Sequence, residues 1–192
     1  MIEYFHDLGY ETTCNIMAIS QASGDQVQEA LELLGETNVD VIYLVDSYGS
    51  LYPETAGALA KKYLEIGEKY GKAIGFHAHN NQNLAFANTI ETLSYGVSYL
   101  DATASGMGRG AGNCAMELLL GFLKNPKYNL YSLLTFIEKY MIPLKENGVK
   151  WGYDVQYMLT GQLNRHPREA VAFTADNRKD YCEFYKSLLD NF

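Results

Sequence analysis

Two histidines, His77 and His79, stand two positions apart in the segment Gly75-Phe76-His77-Ala78-His79-Asn80-Asn81. The residues ahead of them read as an apolar strand, and helix signals resume a few residues later. At the end of an extended strand, positions i and i+2 project to the same side of the chain. Two imidazoles placed in this way can share one divalent metal ion. The spacing equally suits two polar loop residues at a helix N-terminus, and both readings stand at this point.

Two further segments offer polar groups at strand ends. Val45-Asp46-Ser47-Tyr48-Gly49 closes an apolar run, and Asp46 and Ser47 are expected to point into the same rim as the histidines, although a turn with an Asp cap fits as well. Asp101 follows a short apolar stretch and leads into Gly106–Gly112, where four of seven residues are glycine. Such a loop can turn backbone N–H groups toward an anion, or can simply be a structural turn. It lacks the Walker lysine and the acidic partner of a dinucleotide site. In a parallel sheet the ends of successive strands fall on one edge, and that edge is where α/β proteins build their sites.

The elements that must position these groups alternate. Strands are predicted over Thr12–Ile19, Val39–Val45, Ala73–His77 and Tyr99–Ala102. Helices are predicted over Gln26–Thr37, behind the cap Ser23, over Pro53–Tyr70, over about Asn83–Tyr95 and over about Asn113–Lys124. Strand–helix alternation with short links implies βαβ units and a parallel sheet. The last third reads as helices only: Tyr131–Asn147, Tyr153–Leu163, Pro167–Ala172 and Arg178–Asp190. The expected organisation is therefore an α/β region over residues 1–127 and a helical region over residues 128–192.

Composition narrows the function classes. A net charge of −8 argues against nucleic acid and anionic membranes as partners, because both require clustered Lys and Arg. No apolar run approaches the roughly 20 residues that span a bilayer, and the N-terminus lacks a signal-peptide pattern. The cytoplasm is the expected compartment. Cys14, Cys114 and Cys182 are widely spaced and odd in number, so neither a disulfide framework nor a structural zinc site is expected.

The segment Gly75–Leu123, GFHAHNNQNLAFANTIETLSYGVSYLDATASGMGRGAGNCAMELLLGFL, resembles the second half of 4-hydroxy-2-oxovalerate aldolases. These are members of the DRE-TIM metallolyase superfamily, with hydroxymethylglutaryl-CoA lyase and isopropylmalate synthase. The resemblance begins near Asp7-Leu8-Gly9-Tyr10, runs through Val45-Asp46-Ser47-Tyr48-Gly49-Ser50, and extends more faintly to Tyr140–Leu144 and Gly152–Tyr157. It implies a partial TIM barrel, about strands five to eight, followed by a helical C-terminal extension.

By that resemblance the reaction is cleavage of a 4-hydroxy-2-oxo acid to pyruvate and an aldehyde. His77 and His79 match the metal ligands, for Mn²⁺ or else Mg²⁺ or Co²⁺. Ser47, together with His77, matches the substrate contacts. Tyr157 matches an active-site tyrosine, with Tyr153 a weaker candidate. The family's third metal ligand and its catalytic Arg lie in an Arg-Asp-Gly motif on the first strand, with a base His just after it. This sequence has no Arg-Asp-Gly, and His6 and His166 do not sit in that context. Asn80 and Asn81 are a smaller departure. The partners implied are a small 2-oxo acid, a second copy through open sheet edges, and an acetaldehyde dehydrogenase. Two other readings remain at this stage: a CoA-linked lyase or acyltransferase of the same superfamily, and a non-catalytic half-barrel.

Overall fold

In the computed structural model, residues 1–125 and 127–190 are described; Pro126, and Asn191 and Phe192 at the end of the expected helical region, lie outside the described residues. The backbone divides into two units. The first comprises Met1–Ser47, Leu51–Ala78 and Ala87–Asp101, and the second comprises Tyr48–Ser50, His79–Phe86 and Ala102–Phe192.

The first unit is built on four strands, β1 (Thr13–Ile16), β2 (Val41–Asp46), β3 (Ala73–Ala78) and β4 (Tyr99–Leu100). All pairings are parallel and the spatial order is β1-β2-β3-β4. An order with no reversal means that every crossover steps the same way. Since crossovers are right-handed, the connecting helices fall on one face, as in a barrel. A doubly wound sheet would instead reverse its order at a switch point. The helices of this region are α1 (Ile2–Asp7), α2 (Gly24–Gly35), α3 (Pro53–Tyr70) and α4 (Ala85–Tyr95).

Local chemistry explains these bounds. Ser23 and Gln26 form a reciprocal capping box at the start of α2. Pro53 opens α3, and Gly71, at φ +69°, closes it. β2 is buried at all six positions, as expected of a strand covered on both faces. β1 is shorter than the predicted Thr12–Ile19, because Ala18 adopts φ +52° and Ile19–Gln21 forms a 3₁₀ turn. The sequence pattern does not announce α1. It is tied down by Glu3, whose carboxylate accepts from the Asn38 backbone N–H at 3.0 Å and from the Asn38 side chain.

The second unit carries α5 (Met116–Leu123), α6 (Leu130–Phe136), α7 (Ile142–Glu146), α8 (Val155–Gln162), α9 (Arg168–Ala175) and α10 (Tyr181–Asp190). The single helix expected over Tyr131–Asn147 is instead α6, a π-helical turn over Ile137–Met141, and α7. Pro143 explains the interruption: it has no N–H to continue the α ladder, and a π turn absorbs the mismatch. The core here is Leu159, Phe173, Phe184 and Leu188, from α8, α9 and α10. Among the described residues no helix is long and apolar enough to cross a membrane.

Candidate active site

Strand alternation decides which groups share a face in the first unit. Tyr43 is in register with Gly75, and Gly75 with Tyr99, while Val45 is level with His77. Val41, Tyr43, Val45, Ala73, Gly75, His77, Tyr99 and Asp101 therefore lie on one face of the sheet. The Asp101 N–H donates to Phe76 O at 3.0 Å, which carries the pairing one step past β4. Asp101 thus comes level with His77, and its Oδ2 stands 2.9 Å from His77 Nδ1. A carboxylate can only accept here, so His77 Nδ1 is the donor in this contact.

Tyr43 completes this group. Its pKa is pushed up to about 12, first by burial and then by the nearby negative charge of Asp101. The ring crosses over Gly75, where a Cβ would lie 2.6 Å from Tyr43 Cε1. Only glycine at that position leaves the ring room. The raised pKa has a consequence for stability. The folded chain favours the protonated phenol, so the contribution is whole below the ordinary value of 10.0 and is lost as pH rises toward about 12. Urea midpoints of the wild type are expected to fall between about pH 10 and about pH 12, and to fall less in Tyr43→Phe.

Ser47 and Asp46 part company. Ser47 is buried, and its Oγ accepts the Ala18 backbone N–H at 2.8 Å, tying the end of β2 to the loop after β1. Asp46 is level with Ala78 and lies on the opposite face from His77. It is buried and accepts the Leu51 N–H at 3.2 Å. The expectation that Asp46 points into the rim is therefore corrected: it caps the turn leaving β2.

The remaining candidates belong to the second unit. His79 forms an isolated antiparallel bridge with Asn113, and the Asn80 N–H donates to Gly112 O at 2.9 Å. Asn80 Oδ1 accepts the Ala85 N–H at 3.2 Å, at the start of α4, and buried Asn81 donates to Tyr157 O at 3.4 Å. Within the glycine-rich segment the N–H groups of Gly106, Gly112 and Asn113 donate to Thr103 O, Arg109 O and Gly106 O. These donors are spent on the segment's own backbone, which favours the structural reading of the loop over an anion cradle. Gly112, at φ +83°, is needed there, since a Cβ would sit 2.1 Å from Gly106 O.

Tyr157 is buried on α8 against Ala111 and Ala170. Its hydroxyl lies 3.3 Å from Thr174 Oγ1. It lines a cleft of about 330 Å³ with Gly110, Lys145, Trp151, Tyr153 and Gln156, so both tyrosines singled out in the sequence border one space. His166 packs edge-on against Tyr48, and its pKa is lowered by burial and then by the charges of Arg109 and Arg168.

Comparison with known proteins decides the family. The HMGL-like family model matches residues 1–138. This chain belongs to the HMGL-like family. It is 35% identical to 4-hydroxy-2-oxovalerate aldolase of Thermus thermophilus over 142 residues, which is 72% of this chain and 40% of that protein. It is 30% identical to the enzyme of the same name from Bacillus thuringiensis over 196 residues, which is 96% of this chain and 56% of that protein. The chain thus spans about half the length of the curated relatives it matches.

Among solved structures, the N-terminal domain of a candidate aldolase from Bacteroides vulgatus superposes with a TM-score of 0.76 at 31% identity, covering 90% of this chain and 57% of that one. The HMG-CoA lyase of Bacillus subtilis gives 0.65 at 19% identity, over 78% of this chain and 54% of that one, and shares the fold. The HMGL-like chain is therefore α/β with the strand order of a partial TIM barrel, as the sequence implied, and the curated relatives named above are aldolases.

In this HMGL-like chain the donor chemistry at His77 fits a divalent ion. A ligating histidine characteristically gives its other ring N–H to a carboxylate, and the Asp101 contact supplies that arrangement. His79 lies two residues on, in the second unit. Sequence reasoning placed Asp101 at a strand end but gave it no role, and it passed over Tyr43 altogether. Strand parity counted back from His77 would have found both, had the register been known.

Proposed function

We propose that this chain carries the pyruvate-binding portion of a divalent-metal aldolase that cleaves a 4-hydroxy-2-oxo acid to pyruvate and an aldehyde. The observation that carries the proposal is His77, held by Asp101 at a parallel strand's C-terminal end two residues before His79, in a chain related to named aldolases. A divalent ion bound by the two imidazoles, Mn²⁺ in the first instance, would supply Lewis-acid polarisation of the 2-oxo group.

The chain's own groups do the rest. His77 is held at Nδ1 by Asp101, 2.9 Å away. Ser47, fixed by the Ala18 N–H, donates its O–H to a substrate oxygen. By resemblance Tyr157 is the residue that would act on the aldehyde portion, and its hydroxyl lies 3.3 Å from Thr174 Oγ1. As the C3–C4 bond breaks, its electron pair passes to the pyruvate enolate and the C4 hydroxyl proton leaves. Protonation at C3 then gives the pyruvate methyl group. The base for that hydroxyl and the third metal ligand belong, by resemblance, to the Arg-Asp-Gly region that this sequence does not contain. An aldehyde-oxidising dehydrogenase as partner forms part of the same proposal.

The test is solvent exchange. Incubated with Mn²⁺ and pyruvate in D₂O, the chain is expected to replace the pyruvate methyl protons, followed by NMR, whereas a His77→Ala/His79→Ala variant is not. Exchange by the variant at the wild-type rate would sink the proposal. Absence of exchange by both, persisting after the Arg-Asp-Gly half of a relative is added, would support a non-catalytic half-barrel.

A further inference from the structure

The cleft beside Tyr157 is lined wholly by residues of the second unit, and its hydrogen bonds dictate what it can receive. Its floor comes from α8 and α9. Gln156 is buried there, and its amide nitrogen reaches Asp154 Oδ2 at 3.1 Å and Thr174 Oγ1 at 2.7 Å. A carboxylate only accepts, so the amide N–H groups face these partners and the carbonyl oxygen faces away. Thr174 gives its own hydroxyl hydrogen to Ala170 O at 2.9 Å. The Tyr157 hydroxyl, 3.3 Å from the same Thr174 oxygen, is therefore the donor of that contact. The side-chain hydrogens of Gln156, Thr174 and Tyr157 are thus spent within the floor, and lone pairs are what remain. Gln156 Oε1 is buried without a partner among the described residues. A buried acceptor left unmet costs free energy until a donor reaches it.

The rim is of the opposite kind. Lys145 on α7 and Lys150 in the loop after it both line the cleft. Among the described residues neither ammonium makes an ion pair. Trp151 holds the first of them: its ring lies 4.6 Å from Lys145 Nζ, and its own Nε1–H donates to Ser105 O at 2.9 Å. The carboxylate in the lining, Asp154, is taken up by the Val155 N–H at the start of α8 and by Gln156.

We propose that this cleft binds a small hydroxylated anion, with a phosphate or carboxylate group at Lys145 and Lys150 and a hydroxyl donating into the floor. The volume of about 330 Å³ lies at the small end of ligand pockets. Pyruvate brings no donor for the floor, and an unsubstituted short aldehyde brings neither donor nor charge. The identification of this anion with the aldehyde portion of the substrate rests on the proposed function, through Tyr157. It makes the released aldehyde hydroxylated and acidic rather than a simple alkanal. The chemistry of the cleft itself rests on this chain alone.

The experiment is calorimetric titration of the full chain, without added metal, with glycerol 3-phosphate and with glycerate, beside inorganic phosphate and acetate. The preferred hydroxylated anion is expected to bind about tenfold more tightly than its bare counterpart, the scale of one hydrogen bond to a buried acceptor. The tighter of the two tells whether the anionic group is phosphate or carboxylate. Lys145→Gln/Lys150→Gln should weaken that binding at least about tenfold. Gln156→Met should bring the hydroxylated anion down to the affinity of the bare one. Lys61→Gln, whose ammonium lies over the Tyr95 ring in the first unit, should change nothing. Lys145 and Lys150 are exposed, so their variant serves if Gln156→Met fails to fold.

Binding of neither hydroxylated anion overturns the proposal. So does equal affinity for the bare anions, or full affinity in the lysine variant. Binding of the probe by a chain that takes up no Mn²⁺ would remove the aldolase reading and leave this one standing. Pyruvate methyl exchange with no binding of either probe would do the reverse.

Discussion

Replacing His79 by alanine is expected to weaken Mn²⁺ binding more than about 100-fold, beyond the roughly 10–100-fold that loss of an outer partner costs. The argument is chemical. In the proposed site His77 and His79 would hold the ion together, and removal of one would leave a single imidazole in competition with water. A hundredfold loss corresponds to about 2.8 kcal/mol. Titration followed by the EPR signal of free Mn²⁺ reads it directly, and Co²⁺ or Zn²⁺ provides a tighter probe of the same donors. The control is His6→Ala. His6 lies 3.9 Å from Asp40, near the start of the first unit, and its removal should leave the affinity unchanged. Equal affinities for wild type and His79→Ala would remove the metal reading, whatever the family.

Why His77 was visible in the sequence while its neighbouring groups were not is a matter of register. An alternating HxH behind an apolar run can be read without any knowledge of neighbouring strands. Val39–Val45, by contrast, is apolar on both faces, so its alternation carries no information about which side is which. For that reason Asp46 was expected in the rim when it faces the other way and caps Leu51, and Tyr43 was lost inside an apolar run. The link from Asp101 to His77 needed the β3–β4 pairing, which no local pattern supplies. Element identity was easier. Pro53 marked the start of α3, and the strand–helix alternation implied the parallel sheet. The π turn before Pro143 was missed because the apolar spacing runs through it unbroken. Tyr157 was legible only through resemblance: one tyrosine on a helix has no spacing that speaks for chemistry.

Gly110 gives the second large effect, and it acts through Tyr157. The residue sits at φ +58°, and a Cβ there would lie 2.8 Å from Tyr157 Cε1. Alanine at Gly110 therefore carries a left-handed backbone cost of about 1–2 kcal/mol and a collision besides. The tyrosine cannot retreat easily, since it is packed against Ala111 and Ala170, and its hydroxyl must also keep Thr174. Gly110→Ala is expected to lower cleavage of a 4-hydroxy-2-oxo acid about 100-fold, the scale on which a misplacement of about 1 Å acts. Pyruvate methyl exchange should stay within about twofold, because a hundredfold loss of that kind concerns only the group that is displaced. Tyr157→Phe separates position from chemistry: it keeps the ring in place and removes only the hydroxyl. A cleavage loss in both variants with exchange preserved places Tyr157 at the aldehyde end. Parallel losses of cleavage and exchange would mean that Gly110 acts by loosening the second unit. Undiminished cleavage in Tyr157→Phe would take the hydroxyl out of the mechanism and leave Tyr157 as a wall of the cleft. The measurement is made with the Arg-Asp-Gly half of a relative added, so that a missing base does not mask the difference.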